Sequence, residues 1–155
     1  MRDLLDASTL ESISFFELSC SRANDKVGFN DISSIEEYEV SPELSLQLAR
    51  DPENNKIRVR LRVEIDAEPG TVVADSGAEY SVADIDVPTL SEAVFLEFAN
   101  KVGAFALIPY LRQGVADMTS RVWGSPLLMP MYSQGDINFQ RDLGQDDEVE
   151  ETEAV

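Results

Sequence analysis

Residues 57–66 constrain the fold most strongly, because branched aliphatic and charged residues alternate along this segment without a break. The aliphatic positions are Ile57, Val59, Leu61, Val63 and Ile65, and the charged positions are Arg58, Arg60, Arg62, Glu64 and Asp66. Successive side chains of a strand point to opposite faces, so the pattern predicts an antiparallel strand with one dry and one wet face. The arginine row is expected to be solvated and neutralised by carboxylates on neighbouring strands.

Three other segments are also predicted to be strands. Residues 13–20 are rich in β-forming residues, and Leu44, Leu46 and Leu48 alternate with polar residues. Residues 71–82 follow the turn dipeptide Pro69-Gly70, and their small residues suggest a bulge or close packing. Together with residues 57–66, these segments give four predicted strands.

A long helix is predicted after the strands. Thr89 and Glu92 have the spacing of a capping box, and apolar residues then recur at helical intervals on both sides of Pro109. Pro109 is therefore predicted to kink the helix without ending it. A helix of about 30 residues is long for a chain of this size. Its second apolar face is explained if it packs on a partner subunit.

The segment 123–132 that follows is apolar but contains Pro126 and Pro130, which exclude a regular helix. Two interpretations stay open. The segment is either a loop folded onto the core or a semi-exposed loop whose methionines suit promiscuous contacts.

Composition argues for a binding protein and against an enzyme. The 155 residues include 30 acidic and 12 basic ones, with a formal net charge of −18 and no histidine. A Ser-His-Asp triad and a His-ligated zinc are excluded, and no phosphate, dinucleotide or calcium-loop motif occurs. The single cysteine, Cys20, cannot form an internal disulfide and is predicted to be a small buried hydrophobe in a reducing compartment. No catalytic, cofactor-binding or metal-binding residue is therefore predicted.

The same composition bears on location and on the ends of the chain. A strongly acidic protein repels phosphate backbones and anionic lipid, so neither nucleic acid nor a membrane surface is an expected partner. No signal peptide is evident, and the apolar stretch 102–111 is too short to span a bilayer, so a cytoplasmic protein is predicted. We divide the chain into an N-terminal segment 1–11, a domain 12–143 and a disordered acidic tail 144–155.

Several short motifs occur in a fixed order between about residue 12 and residue 139. They are Pro42-Glu43-x-x-Leu46-x-Leu48, Leu61-Arg62-Val63, Tyr80-Ser81-Val82-Ala83-Asp84-Ile85, Ile108-Pro109-Tyr110-Leu111-Arg112, Ser120-Arg121 and Pro126-Leu127-Leu128-Met129-Pro130. Their order and spacing resemble the SecB family of export chaperones. The most specific is the stretch 108–112, which matches the family's F/I-P-Y-x-R sequence.

The resemblance implies an α+β protomer with a four-stranded antiparallel sheet, a long kinked helix and a short C-terminal helix. It also implies a homotetramer, assembled as a dimer of dimers with the helices between two outer sheets. The implied function is ATP-independent holding of unfolded preproteins in exposed apolar grooves, for delivery to SecA and the Sec pathway. By position, the client-binding candidates are Leu44, Leu46, Leu48, Trp123, Leu127, Leu128, Met129 and Phe139.

Two departures from the family pattern affect what is expected. The motif that opens the family's last helix is split here, with only Asn138-Phe139 retained, so a short last helix is predicted. Glu17 matches an acidic position that the family uses toward SecA and is the motor-docking candidate, but Ser21 stands where the next acid is expected. A SecB-like chaperone dedicated to the antitoxin of a toxin–antitoxin module is the alternative. An acidic adaptor or nucleic-acid mimic is a further alternative from another class.

Overall fold

The structure is a computed structural model that describes residues 1–23, 41–133 and 135–140, together with the backbone of 150–153. Its elements are α1 (Arg2–Ala7), β1 (Ser8–Arg22), β2 (Glu43–Asp51), β3 (Lys56–Ala67), β4 (Gly70–Val82), a 3-10 turn (Val87–Thr89), α2 (Glu92–Phe98), a π-helical turn (Ala99–Gly103), α3 (Ala104–Trp123) and β5 (Glu150–Glu153). The strands form one antiparallel sheet in the order β1-β4-β3-β2-β5. The four predicted strands and the long helix are thus confirmed.

The alternating segment forms the centre of the sheet, as its pattern predicts. Each of its five aliphatic side chains is fully buried in β3, whereas the arginines between them are partly exposed. A short turn at each end of β3 leads to its neighbours β2 and β4, and Asn55 adopts the left-handed conformation in the first of these turns. The buried face of β3 therefore fixes which side of the sheet carries the core.

The helical layer covers that buried face. Gly103 lies so close to β3 that a Cβ atom there would stand 2.8 Å from Val59, and a Cβ at Gly114 would approach Leu18 and Phe15 of β1 at 3.0–3.3 Å. These two glycines let the helix approach the sheet closely. A single core joins the sheet, the helices and the segment after α3.

The helix begins differently from the sequence prediction but continues past Pro109 as predicted. Ser91 is the N-cap, since its hydroxyl accepts a hydrogen bond from the Val94 N–H, while Thr89 lies in the preceding 3-10 turn and donates to the Asp86 carbonyl. The predicted capping box at Thr89 is therefore wrong. Helix α3 continues through Pro109, which confirms that proline does not end it.

The chain ends also differ from the prediction. The segment 1–11 forms α1 and the first residues of β1, so it is continuous with the sheet. The prediction of a disordered tail is wrong for Glu150–Glu153, which pair with β2 as strand β5. Residues 135–140 form no helix, and a short helix within 141–149 lies outside the described residues.

The helical stretch Glu92–Trp123 is long and apolar enough, by length and composition, to cross a membrane. Half of its most apolar window is buried within this fold, however. Such burial is typical of a core helix that packs on a sheet.

Candidate client-binding site

Most of the predicted client-binding side chains lie in the core of the protomer. Leu128 is 72% exposed and Leu44 is half-buried. The other six are buried, namely Leu46, Leu48, Trp123, Leu127, Met129 and Phe139. The prediction that these six stay accessible to water is wrong in the single chain.

Strand β2 shows why the alternation of its leucines could not predict their burial. Leu46 and Leu48 stand opposite Leu61 and Val59 of β3 in the ladder, so they share the face that the helical layer covers. Period-two alternation shows that the leucines share a face but not what lies on that face. Leu44, opposite Val63 near the start of β2, is only half-buried.

Trp123 ends helix α3 and ties it to the sheet. Its indole Nε1–H donates to the Ser21 carbonyl oxygen of β1 at 3.0 Å, and the ring is almost fully buried. Nearby, the Arg22 guanidinium donates to the Val122 carbonyl at 2.8 Å. The tryptophan is therefore a structural link between α3 and β1.

A buried threonine fixes the segment that follows the helix. Gly124 turns the chain with a φ of +86°, which favours glycine, and the chain then passes Thr119. The Thr119 hydroxyl donates to the Val115 carbonyl at 2.7 Å and accepts from the Leu127 N–H at 2.8 Å. This contact sets which side chains of the segment point inward.

The result is an extended segment with an inner and an outer row of apolar side chains. Leu127 and Met129 are buried, whereas Leu128 and Met131 are 72% and 81% exposed. We call Leu128 and Met131 the apolar loop pair. Both of the open interpretations of this segment hold in part, because one row fills the core and the other faces water.

The chain after the loop is also held against the helical layer. The side-chain amide of Asn100 accepts from the Phe139 N–H at 2.8 Å and donates to the Phe139 carbonyl at 3.0 Å. Ile137 and Phe139 are both buried. Phe139 therefore completes the core, and no sequence pattern indicated its backbone bond to Asn100.

Other exposed apolar side chains lie on β1, an edge strand of the sheet, and on α3. Leu10 and Phe15 of β1 and Tyr110 of α3 are 42–47% exposed, and Phe15 lies over Gly114. We call Leu10, Phe15 and Tyr110 the edge group. This edge of the sheet is a second exposed apolar surface.

The outer face of the sheet carries a network of ion pairs. Arg60 donates two hydrogen bonds of 2.8 Å to the buried carboxylate of Asp75, and Arg62 pairs with Glu17 and lies 3.6 Å from Asp75. The hydrogen bond to Asp75 raises the pKa of Arg60, and the one to Glu17 raises the pKa of Arg62. The expected neutralisation of the arginine row by neighbouring carboxylates is confirmed.

Phe16 adds an aromatic contact to this network. The residue lies at a register shift in β1, and its ring packs over Gly77, where a Cβ atom would stand 2.5 Å away. The guanidinium of Arg60 lies 4.1 Å from the ring centre and that of Arg58 lies 5.1 Å away. Glu17, the motor-docking candidate, is thus part of a neutralised surface and not of an open acidic one.

Little in the described residues suggests chemistry. A pocket of about 250 Å³ lies at the turn end of β2 and β3. Its lining is largely charged and consists of Ala49, Arg50, Asp51, Lys56, Ile57, Arg58 and Glu79. Cys20 is half-buried, and desolvation raises the pKa of its thiol, which disfavours the reactive thiolate. Within the described ranges, no three of His, Cys, Asp and Glu lie together as metal ligands would.

Comparison with known proteins gives relatives both in sequence and in structure. No protein-family model matches the chain. The SecB-like chaperone SmegB of Mycolicibacterium smegmatis is 24% identical over 143 residues, which cover 92% of this chain and 88% of SmegB. The solved structure of the Mycobacterium tuberculosis SecB-like chaperone Rv1957, in complex with a ChAD peptide from the HigA1 antitoxin, has a TM-score of 0.66. It is 18% identical and covers 85% of this chain and 92% of its own.

Proposed function

Because this chain is SecB-like in sequence and in fold, we propose that it is an ATP-independent chaperone that holds unfolded polypeptides through exposed apolar surface. The apolar loop pair carries the proposal, since two large apolar side chains are presented to water by a segment anchored on Thr119. Exposed apolar side chains that form a contiguous patch are typical of binding surfaces. The net charge of −18 keeps such a protein soluble while it exposes apolar groups.

The primary test is whether the purified chain suppresses aggregation of an unfolded protein without ATP. We expect light scattering from diluted, denatured citrate synthase to fall as the chain is added, because captured client cannot self-associate. An equal amount of serum albumin is the control. Undiminished scattering at equimolar chain contradicts the proposal.

The apolar loop pair can be tested directly. We expect Leu128→Asp combined with Met131→Asp to weaken client binding by about tenfold or more, since a charge on the contact surface must be desolvated when the client binds. Both side chains are exposed, so the fold is expected to be retained. Ser120→Asp combined with Ser133→Asp is the matched control, because it adds the same two negative charges at exposed polar positions. Equal client affinity in all three proteins would place the client elsewhere.

Two classes of client are compatible with a SecB-like chaperone. We propose a dedicated client, such as an antitoxin, over general export, and two observations support this choice. The structural relative carries an antitoxin peptide. In this chain, Glu17 is paired with Arg62, and the surface beside it carries three arginines, which does not favour a basic partner such as the docking segment of a motor.

A pull-down with two baits distinguishes a dedicated antitoxin client from general export. The ChAD peptide of the HigA1 antitoxin is expected to retain the chain, and SecA is expected not to retain it. Retention by SecA that is lost in Glu17→Ala would instead support the export role. The acidic adaptor is separated by salt, because binding through carboxylates weakens steeply with ionic strength whereas apolar binding survives moderate salt.

The proposal extends to assembly and location. The edge group and the outward side of α3 present apolar surface that a tetramer would cover, with the helices between two outer sheets. A cytoplasmic, non-enzymatic protein is in keeping with the SecB-like chaperone to which the chain is similar.

A further inference from the structure

The edge of β2 that faces away from β3 is covered by the short strand β5, which comes from the acidic C-terminal end of the chain. All nine residues of β2 pair with β3 on one side, but only Ser45–Leu48 pair with β5 on the other. We infer that this edge is where an extended client segment adds as a further strand, and that β5 is an internal competitor which the client displaces. The inference rests on the proposed chaperone function.

Strand addition suits a client of variable sequence. An edge strand offers backbone N–H and C=O groups that pair with the main chain of any extended polypeptide, whatever its side chains. Within the described residues, β5 uses four of the nine positions along this edge. A longer client segment could therefore form more ladder bonds than β5 does.

The composition of β5 makes it a weak occupant. Its sequence is Glu-Glu-Thr-Glu, and glutamate is disfavoured in strands, particularly beside like charges. Thr152 stands opposite Leu46 and Glu150 opposite Leu48 in the ladder, so no apolar residue occupies these register positions. An apolar client residue at these register positions would place apolar surface beside Leu46 and Leu48 in the place of threonine and glutamate, which favours displacement.

Charge explains why an acidic segment is attracted to this edge of an acidic protein. Glu151 and Glu153 stand opposite Gln47 and Ser45. On its other side β2 pairs with β3, where Gln47 stands opposite Arg60 and Ser45 stands opposite Arg62 of the arginine row. The tail therefore lies near the positive charge of the sheet, and this attraction is screened by salt.

The consequence is a chaperone whose β2 edge is covered by β5 when no client is bound. Covering an exposed edge prevents pairing between copies of the chain. It also lowers the apparent client affinity, because only the fraction with an open edge is competent to bind. If β5 is closed in about nine of ten molecules, releasing it tightens client binding about tenfold.

The test uses two full-length double variants and one peptide. The probe is a fluorescein-labelled peptide of alternating leucine and serine without charged residues, followed by fluorescence anisotropy. Alternate strand residues direct their N–H groups to the same neighbour, so Glu151→Pro with Thr152→Pro removes at least one ladder donor in either register. Glu151→Val with Thr152→Val is the matched control, because it removes the same carboxylate but retains both N–H groups and favours a strand.

We expect the proline variant to bind the peptide about tenfold more tightly than the unmodified chain, and the valine variant to bind no more tightly than it. Added salt should tighten binding to the unmodified chain but not to the proline variant. If all three proteins bind the peptide equally at every salt concentration, the inference is overturned while the proposed function stands. If none of the three binds the peptide or suppresses aggregation, the proposed function fails as well.

Discussion

At the scale of single residues, Asp75 is the charged group on which the outer face of the sheet depends. It is 2% exposed, and its two carboxylate oxygens each accept a hydrogen bond from Arg60. Asp75 stands next to Gly77, over which the Phe16 ring packs. Removing the carboxylate would leave Arg60 and Arg62 without their shared partner.

We expect Asp75→Ala to lower the free energy of unfolding by about 1.5–3 kcal/mol, the usual contribution of hydrogen bonds to charged groups. Glu79→Ala is the control on the same strand and face. Its pair with Arg58 spans 3.9 Å between exposed side chains, so the loss should stay below about 1 kcal/mol. Urea unfolding followed by circular dichroism measures both. Equal losses of unfolding free energy in the two variants would show that the buried ion pair of Asp75 adds no stability.

At the scale of elements, the junction between α3 and the following segment decides which apolar side chains face water. Thr119 lies one turn before the helix end and is fully buried, with its hydroxyl bonded to the backbone of Val115 and Leu127. One side chain therefore stabilises the end of the helix and the direction of the loop. The apolar loop pair depends on this contact for its outward position.

We expect Thr119→Val to cost about 1–3 kcal/mol, because the Leu127 N–H is left buried without its acceptor. The loop should also become more susceptible to limited proteolysis between residues 124 and 133. Ser120→Ala, an exposed neighbour on the same turn, should change neither measurement. Unaltered proteolysis of the Thr119→Val protein would contradict the role given to this contact.

The sequence predicted the elements better than it predicted the site. The alternation in β3 and the helical spacing after residue 91 each specify one apolar face. Because the burial of such faces dominates folding, the sheet and the helix could be predicted from these patterns. The inward or outward direction of Leu127 and Leu128 depends instead on one hydrogen bond, which the Thr119 hydroxyl accepts from the Leu127 N–H. Strand β5 was missed because its glutamates have little strand propensity, and only the partner β2 makes them a strand.

At the scale of the whole molecule, the single chain leaves apolar surface on α3 and β1 that a further copy could cover. Tyr110 is 47% exposed on α3, and Phe15 is 42% exposed beside it over Gly114. The burial of these groups by partner subunits would account for a long helix with two apolar faces. The client surface at the apolar loop pair must then stay outside the subunit contacts.

We expect multi-angle light scattering to give the mass of a tetramer, and Tyr110→Asp to lower that mass, because a charge on an apolar contact is costly to desolvate. Ser41→Asp adds the same charge at an exposed position before β2 and should leave the mass unchanged. A mass equal to one chain for the unmodified protein would contradict the assembly.

The position of β1 in the sheet has a consequence for biosynthesis. β1 pairs with β4 along its whole length, from Ser8 opposite Val82 to Arg22 opposite Gly70, whereas β2, β3 and β4 follow one another through short turns. A growing polypeptide therefore releases its first strand from the ribosome long before the partner strand emerges. Until then Phe15 and Phe16 lack the helix and sheet contacts of the finished fold. Each newly synthesised chain thus passes through an unfolded stage at which it resembles the clients that it is proposed to hold.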